Sequence, residues 1–172
     1  SAGAPAAGSG RVLLSLGAAL FCQLRLLANM LDGMVAVEAG RGGPDGPVWN
    51  ELPDRFADIA VLVGAGYGLA QLGEAPASLG WAAAIAAVMT AYVREVVRAA
   101  GAPADFSGPM AKPHRMFVLT MAALISTIEP LWGWQGQTLH WALWIVVIGA
   151  TFTALNRARR GLAFLRDKTP RP

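Results

Sequence analysis

Hydrophobic residues in this chain form long runs, separated by short segments that are polar or rich in Gly and Pro. The runs at residues 59–73, 75–93, 116–128 and 130–156 contain no Asp, Glu, Lys or Arg. A helix that crosses a bilayer needs roughly 17–25 mainly apolar residues, so these runs fit spans whose ends reach the headgroups. Together with an apolar segment near the N-terminus, the pattern predicts an all-α integral membrane protein, a bundle of about five transmembrane helices.

The predicted helices cover about residues 11–38, 50–72, 78–100, 114–131 and 138–165. Asn50 is predicted to cap the second helix, which places Pro53 in the first turn, where a missing N–H is tolerated. Residues 11–168 are predicted to form a single transmembrane domain. Residues 1–10, which are small, polar or Pro/Gly, are predicted to be disordered, and residues 169–172 to form a tail.

Composition agrees with a membrane protein and excludes other classes. Hydrophobic residues make up 55% of the chain and charged residues 15%, whereas soluble domains carry about 25% charged residues. The net charge of +3 does not indicate nucleic-acid binding, because the basic residues flank apolar segments as they do in membrane proteins. Cys22 is the single cysteine, which excludes an internal disulfide and a multi-cysteine metal site.

The charges also predict an orientation. Placed on the helices, Lys and Arg fall at one face of the bundle, and the opposite turns at 73–77 and 133–139 contain neither. Trp132, Trp134 and Trp141 cluster at that opposite face, as in an interfacial aromatic belt, and Glu129 is predicted to be interfacial there. By the positive-inside rule the basic face is cytoplasmic. The predicted location is a bacterial inner (plasma) membrane.

Acidic and amide residues recur on the first two predicted helices. Asn29 and Asp32 share a face with Arg25, and Asp54 and Asp58 lie four residues apart on the next helix. Since the two helices are consecutive and antiparallel, these polar faces can meet at the same depth. Carboxylates that converge in a small volume repel one another, and a hard divalent cation relieves that repulsion. Mg²⁺ commonly completes its shell with substrate phosphates, which favours phosphate chemistry.

A purely structural interpretation of the same residues is an Arg25–Asp32 ion pair, with Asp54 and Asp58 stabilising a helix N-terminus. This alternative accounts for one or two of the residues and less well for all of them together.

The two polar segments resemble the signature of the CDP-alcohol phosphatidyltransferase family. Residues 29–36, NMLDGMVA, and residues 50–58, NELPDRFAD, are similar to D-x-x-D-G-x-x-A-R followed by G-x-x-x-D-x-x-x-D. This sequence departs from the family at Asn29 (Asp in the signature), Val37 (Arg) and Asn50 (Gly), and its intervening loop is longer. A competing register uses Gly46, Asn50 and Asp54. The register ending at Asp58 is preferred because it contains two carboxylates.

The resemblance implies a metal-dependent transfer of a phosphatidyl group from a CDP-linked lipid, such as CDP-diacylglycerol, to an alcohol acceptor, with release of CMP, in phospholipid biosynthesis. It implies Asp58 as the general base. One or two divalent cations, Mg²⁺ or Mn²⁺, would be held by Asn29, Asp32, Asp54 and Asp58. The nucleotide would approach Gly33, Ala36 and Asn50. The family usually has six spans, so the resemblance also implies that the first span is absent from this chain.

A second basic cluster follows the third predicted helix. Lys112, Arg115 and Arg98 are predicted to contact an acceptor phosphate or substrate headgroup, although positive flanking of a membrane span explains each residue alone. Two other functions stay open: a small cation-binding membrane transporter and a non-catalytic membrane partner. The predicted partners are the CDP-linked lipid, the alcohol acceptor and the bilayer, without nucleic acid. Closely spaced glycines also allow a homodimer: Gly64, Gly66 and Gly68.

Overall fold

Four α-helices make up the described part of the chain in a computed structural model, which describes residues 46–168 and five helical positions, 16, 17, 20, 24 and 27, of the preceding segment. The elements are α1 (Gly46–Gln71), α2 (Ser78–Ala99), α3 (Lys112–Ser126), a 3-10 turn (Glu129–Trp132) and α4 (Gln137–Lys168). These residues contain no strand, which agrees with the predicted all-α class. Apart from those five positions, the predicted first helix and tail lie outside the described residues, as do Asn29, Asp32, Gly33 and Ala36.

Two predicted helix boundaries were wrong. α1 begins at Gly46, a full turn before Asn50, so Asn50 does not cap it and Pro53 lies inside the helix. A proline at that position removes one backbone hydrogen bond to the carbonyl four residues earlier. α3 ends at Ser126, and residues 129–132 continue as the 3-10 turn instead of extending the helix.

Two of the described helices, α2 and α4, are long and apolar enough to cross a membrane. Their outer faces carry large exposed apolar side chains, including Ile85 on α2 and Ile148 and Phe152 on α4. Such faces are unfavourable in water and suited to lipid, where the helix satisfies its own backbone groups. These two helices agree with the predicted integral membrane protein.

The core of the described bundle is built around a central pair, α2 and α4. α1 packs against α2, and α3 packs against α4. Small residues on α2, such as Ala83 and Ala87, are fully buried and allow close approach of the neighbouring helices. Leu62 of α1 and Leu143 of α4 fill the same core. This order places α1 and α3 as the outer helices, whose N-terminal halves lie at the same end of the bundle.

Gly66 and Gly80 form the closest crossing of α1 and α2. A Cβ atom on Gly66 would lie 2.6 Å from the Cα atom of Gly80, and one on Gly80 would lie 2.6 Å from the carbonyl oxygen of Leu62. Gly66 therefore contributes to packing within the chain, which leaves Gly64 and Gly68 as the members of the predicted homodimer face.

We expect Gly66→Ala to lower the free energy of unfolding by about 1–3 kcal/mol, because the added methyl group meets backbone atoms that cannot rotate away. Thermal or denaturant unfolding in detergent micelles measures the change. Gly64→Ala is the matched control, since no described atom lies within 4 Å of a Cβ atom at Gly64. If both variants unfold at the same midpoint, the close crossing does not constrain α1 and α2.

Glu129, which the sequence predicts near the uncharged membrane face, is fully buried within the bundle. Its carboxylate accepts hydrogen bonds from the backbone N–H of Gly136 at 2.7 Å and of Thr138 at 2.6 Å. Gly136 immediately precedes α4 and Thr138 lies in its first turn, where helix N–H groups lack partners within the helix. A carboxylate also interacts favourably with the positive end of the helix dipole. Glu129 thus caps α4 at the end of the bundle opposite the charged cluster.

Candidate functional site

A cavity of about 460 Å³ opens where the N-terminal half of α1, the C-terminal end of α2, the start of α3 and the second half of α4 meet. All four belong to the same end of the bundle, where the sequence places the basic residues. Five cations and two carboxylates line the cavity: Arg55, Arg94, Lys112, Arg115, Arg157, Glu51 and Asp54. Because cations outnumber anions among the described lining residues, the cavity is suited to an anionic ligand.

Asp54 and Asp58 lie one helical turn apart on α1. Asp54 is 7% exposed and Asp58 is fully buried. The Lys112 ammonium contacts Oδ2 of Asp54, and Arg115 donates from Nη2 to Oδ2 of Asp58 at 2.7 Å. Two ion pairs therefore join the outer helices α1 and α3. Asp54 lines the cavity, whereas Asp58 lies behind it, next to Arg115.

Arg115 is the most deeply buried cation of the site, with 1% of its surface exposed. Besides Asp58, it donates from Nη1 to the carbonyl oxygen of Met110 at 3.0 Å and to Oγ1 of Thr90 at 3.3 Å. A buried guanidinium is stable when it is paired and its remaining N–H groups are bonded. Arg115 therefore connects α3 to α1, to α2 and to the preceding loop, and it fixes the orientation of the Asp58 carboxylate.

Arg94 forms a second ion-pair group at the rim of the cavity. Its Nη2 lies 2.7 Å from Oε1 of Glu51, and its Nε donates to Oε1 of Glu95 at 2.9 Å. The guanidinium carbon also lies 4.7 Å from the centre of the Phe106 ring. A cation over an aromatic face gains a further electrostatic attraction. Arg94 thus links α2 both to α1 and to the loop that closes the cavity.

Arg157 of α4 is a cavity residue that the sequence did not single out, because it begins the C-terminal basic run. It is 5% exposed and donates to the carbonyl oxygens of Thr90 at 2.8 Å and Ser107 at 3.0 Å. Within residues 46–168 it has no carboxylate in ion-pair contact. A signal was present in the sequence, since Thr153 precedes Arg157 by four residues on the same buried face. A buried guanidinium that donates to neutral carbonyls keeps its charge available for an anion.

The loop between α2 and α3 is attached to α4 through Asp105. This carboxylate accepts a hydrogen bond from the backbone N–H of Ser107 at 2.8 Å, and Arg160 lies 3.4 Å away. Burial alone would raise the pKa of Asp105, but the hydrogen bonds from Ser107 and Arg160 outweigh it and lower the pKa below its ordinary value. A lowered pKa means that these contacts are fully present at neutral pH and are lost only as the pH falls through the lowered value.

Not every predicted site residue lies at the cavity. Arg98 is outside it, with a side chain 58% exposed and 3.3 Å from Oε2 of Glu95. Asn50 lies on α1, but its side chain is outside the described residues, as are Asn29, Asp32, Gly33 and Ala36. In the described part of the chain, no three His, Cys, Asp or Glu side chains form a group that could hold a metal ion.

Asp54 and Asp58 nevertheless fit a divalent cation as part of a larger ligand set. They are two carboxylates on one face of one helix, and their oxygens are the hard ligands that such cations prefer. Both carboxylates already hold a cationic side chain, which shows that this position stabilises positive charge.

These features define an integral membrane helix bundle with a buried carboxylate pair beside a basic cavity. The sequence relatives narrow this class. The chain is 31% identical over 138 residues to the phosphatidylinositol phosphate synthase of Mycolicibacterium smegmatis, covering 77% of this chain and 59% of that protein. It is 30% identical over 134 residues to the phosphatidylinositol phosphate synthase of Mycobacteroides abscessus, covering 75% of this chain and 57% of that protein.

A third relative is the inner membrane protein YnbA of Escherichia coli, 28% identical over 136 residues, which are 79% of this chain and 64% of that protein. These relatives support the resemblance to the CDP-alcohol phosphatidyltransferase family that the motif carries. It spans less than two thirds of the length of these relatives. No family model matches the chain, and no solved structure matches it.

Proposed function

We propose that this chain transfers a phosphatidyl group from a CDP-linked lipid to an alcohol acceptor in phospholipid biosynthesis, with release of CMP. The observation that carries the proposal is the buried pair Asp54 and Asp58 beside a cavity lined by five cations, in a chain related to phosphatidylinositol phosphate synthases. Carboxylates can take up a proton and help to hold a metal ion. The cationic cavity suits the phosphates of both substrates.

In the proposed reaction, the acceptor hydroxyl oxygen attacks the lipid-side phosphorus of the pyrophosphate. A new P–O bond forms to the acceptor, the P–O bond to CMP breaks, and CMP leaves with the bonding electron pair. Asp58 takes the proton from the acceptor hydroxyl. Arg115 holds the Asp58 carboxylate in place, so the base is oriented before the acceptor binds. Positioning and electrostatic stabilisation of this kind provide most of the catalysis in phosphoryl transfer.

The proposal includes one or two divalent cations, Mg²⁺ or Mn²⁺, held by Asp54 and Asp58 with Asn29 and Asp32. When bound, such a cation would neutralise the charge that develops on the pyrophosphate as CMP leaves. The support within the described residues is that both α1 carboxylates are buried and lie one helical turn apart.

The proposed acceptor is a phosphorylated alcohol. Lys112 and Arg157 line the cavity, and within the described residues the Arg157 guanidinium hydrogen-bonds only to neutral carbonyls. Two of the relatives are named for phosphatidylinositol phosphate, which makes inositol phosphate the first acceptor to test. The exposed position of Arg98 does not favour a direct contact with the acceptor. The proposed location is a bacterial inner membrane, with the site at the cytoplasmic face.

We expect the purified chain, in nanodiscs with CDP-diacylglycerol and Mg²⁺ or Mn²⁺, to release CMP when a phosphorylated alcohol is added. Chromatographic quantification of CMP measures the rate. The kcat/KM for inositol phosphate and glycerol phosphate should be at least about tenfold higher than for inositol and serine. A site whose cations bind a phosphate discriminates strongly against acceptors that have no phosphate. EDTA should stop the reaction. Absence of CMP with every acceptor and both metals would reject the proposed activity.

A further inference from the structure

Lys112 occupies a different position from the arginines around it. Its ammonium contacts Oδ2 of Asp54, its side chain is 21% exposed, and it is the first residue of α3. Within the described residues Asp54 is its only ion-pair or hydrogen-bond partner. Arg115, by contrast, is 1% exposed and is held by three different acceptors. Lys112 can therefore leave its partner at a small cost, whereas Arg115 cannot.

The Asp54 carboxylate forms a close ion pair with Lys112 and a looser one with Arg55, whose Nη2 lies 3.8 Å from the same Oδ2 atom. Lys112 lies on the same carboxylate that is proposed to hold a divalent metal ion, and an ammonium beside a divalent cation is strongly repelled. A lysine also has a flexible four-carbon chain that allows its charge to move several ångströms without moving the backbone. Lys112 lines the cavity next to Asp54, so its displaced ammonium can move into that cavity.

We propose that Lys112 is an internal counter-cation of Asp54 that a divalent metal ion displaces, and that its displaced ammonium then binds the acceptor phosphate in the cavity. The inference rests on the proposed function and adds a coupling between binding of the metal ion and binding of the acceptor phosphate. Because such coupling is reciprocal, bound metal strengthens phosphate binding and bound phosphate strengthens metal binding to the same degree. The acceptor therefore binds more tightly to a site that already holds the metal ion.

The lysine content of the chain allows a direct test. Lys112 and Lys168 are the only lysines, and Lys168 is an exposed residue at the end of α4. Labelling the full chain with an amine-reactive reagent, followed by mass spectrometry, reports on both in one sample. We expect saturating Mg²⁺ to raise the labelling rate of Lys112 about tenfold, in line with the usual size of such couplings, and to leave Lys168 unchanged.

Asp54→Asn provides a second arm. Without the carboxylate, Lys112 should label rapidly in the absence of metal and should no longer respond to Mg²⁺. An unchanged Lys112 rate in this variant would contradict the counter-cation assignment, because it would mean that the contact with Asp54 does not protect the amine.

Metal affinity gives a readout independent of labelling. We expect Lys112→Met to bind Mn²⁺ about tenfold more tightly than the wild-type chain, because the metal no longer competes with an ammonium, while Lys168→Met leaves the affinity unchanged. Inorganic phosphate should tighten Mn²⁺ binding in the wild-type chain and much less in Lys112→Met. Mn²⁺ binding without any change in Lys112 reactivity would overturn the displacement alone. Absence of Mn²⁺ binding to the wild-type chain would overturn it together with the proposed metal site.

Discussion

Replacing Asp58 by Asn is expected to lower kcat/KM for CMP release by about a thousandfold, the typical contribution of a positioned general base. The amide has nearly the same shape as the carboxylate but cannot take the proton from the acceptor hydroxyl. Asp58 is fully buried and held by Arg115, so its carboxylate has a fixed orientation. The measurement is metal-dependent CMP release with CDP-diacylglycerol and the preferred acceptor.

Asp167→Asn is the matched control for this substitution. Asp167 is an exposed residue near the end of α4 and is remote from the cavity lining, so its variant should retain wild-type activity. Activity of Asp58→Asn within about threefold of wild type would exclude Asp58 as the base, since loss of a general base costs at least a hundredfold.

The second large effect is expected on stability. Arg115→Met should lower the free energy of unfolding by about 3–5 kcal/mol, because it removes one partner of a buried ion pair with Asp58. It also removes the hydrogen bonds to Met110 and Thr90, so α3 loses contacts with α2 and with the preceding loop. Denaturant unfolding in detergent, followed by tryptophan fluorescence, measures the loss.

Arg98→Met is the control, since Arg98 is exposed and its variant should change the free energy of unfolding by less than about 0.5 kcal/mol. Equal stability of Arg115→Met and Arg98→Met would mean that the buried ion pair contributes nothing to the bundle.

The double variant Asp58→Asn with Arg115→Met separates the two effects. Removing both partners avoids an uncompensated buried charge, so it should recover much of the stability that Arg115→Met loses. It should remain inactive, because no carboxylate is restored at position 58. A double variant that is stable and inactive would show that the loss of activity does not result from unfolding.

The helix pattern was largely predictable from sequence. Charge-free apolar runs predicted the four described helices, and α2 and α4 match their expected ranges to within a few residues. The N-terminus of α1 was not predictable from local signals. Asn50 and Pro53 favour a helix start, but the helix extends to Gly46. Tertiary packing can override such weak local preferences, which are each worth about 1 kcal/mol.

The acidic part of the site was also predictable, since intramembrane carboxylates are rare and Asp54 and Asp58 recur at helical spacing. The basic part was predictable only in part. The sequence pointed to Lys112 and Arg115 as phosphate contacts but did not single out Arg157. It also does not distinguish a flank exposed at the interface from a cation buried against a carboxylate. Glu129 shows the same limit, because its role depends on two amides that a turn brings to it.

By itself, the sequence determined that this is a helical membrane protein with acidic residues on α1 and basic residues at one end of the bundle, because hydrophobic runs and helical spacing are local properties. Only the tertiary structure decided which cationic side chain pairs with which carboxylate. Arg115 is buried on Asp58, Lys112 lies at the cavity on Asp54, and Arg157 meets only neutral carbonyls within the described residues. Charges attract without regard to sequence separation, so their pairing is set by where the helices pack.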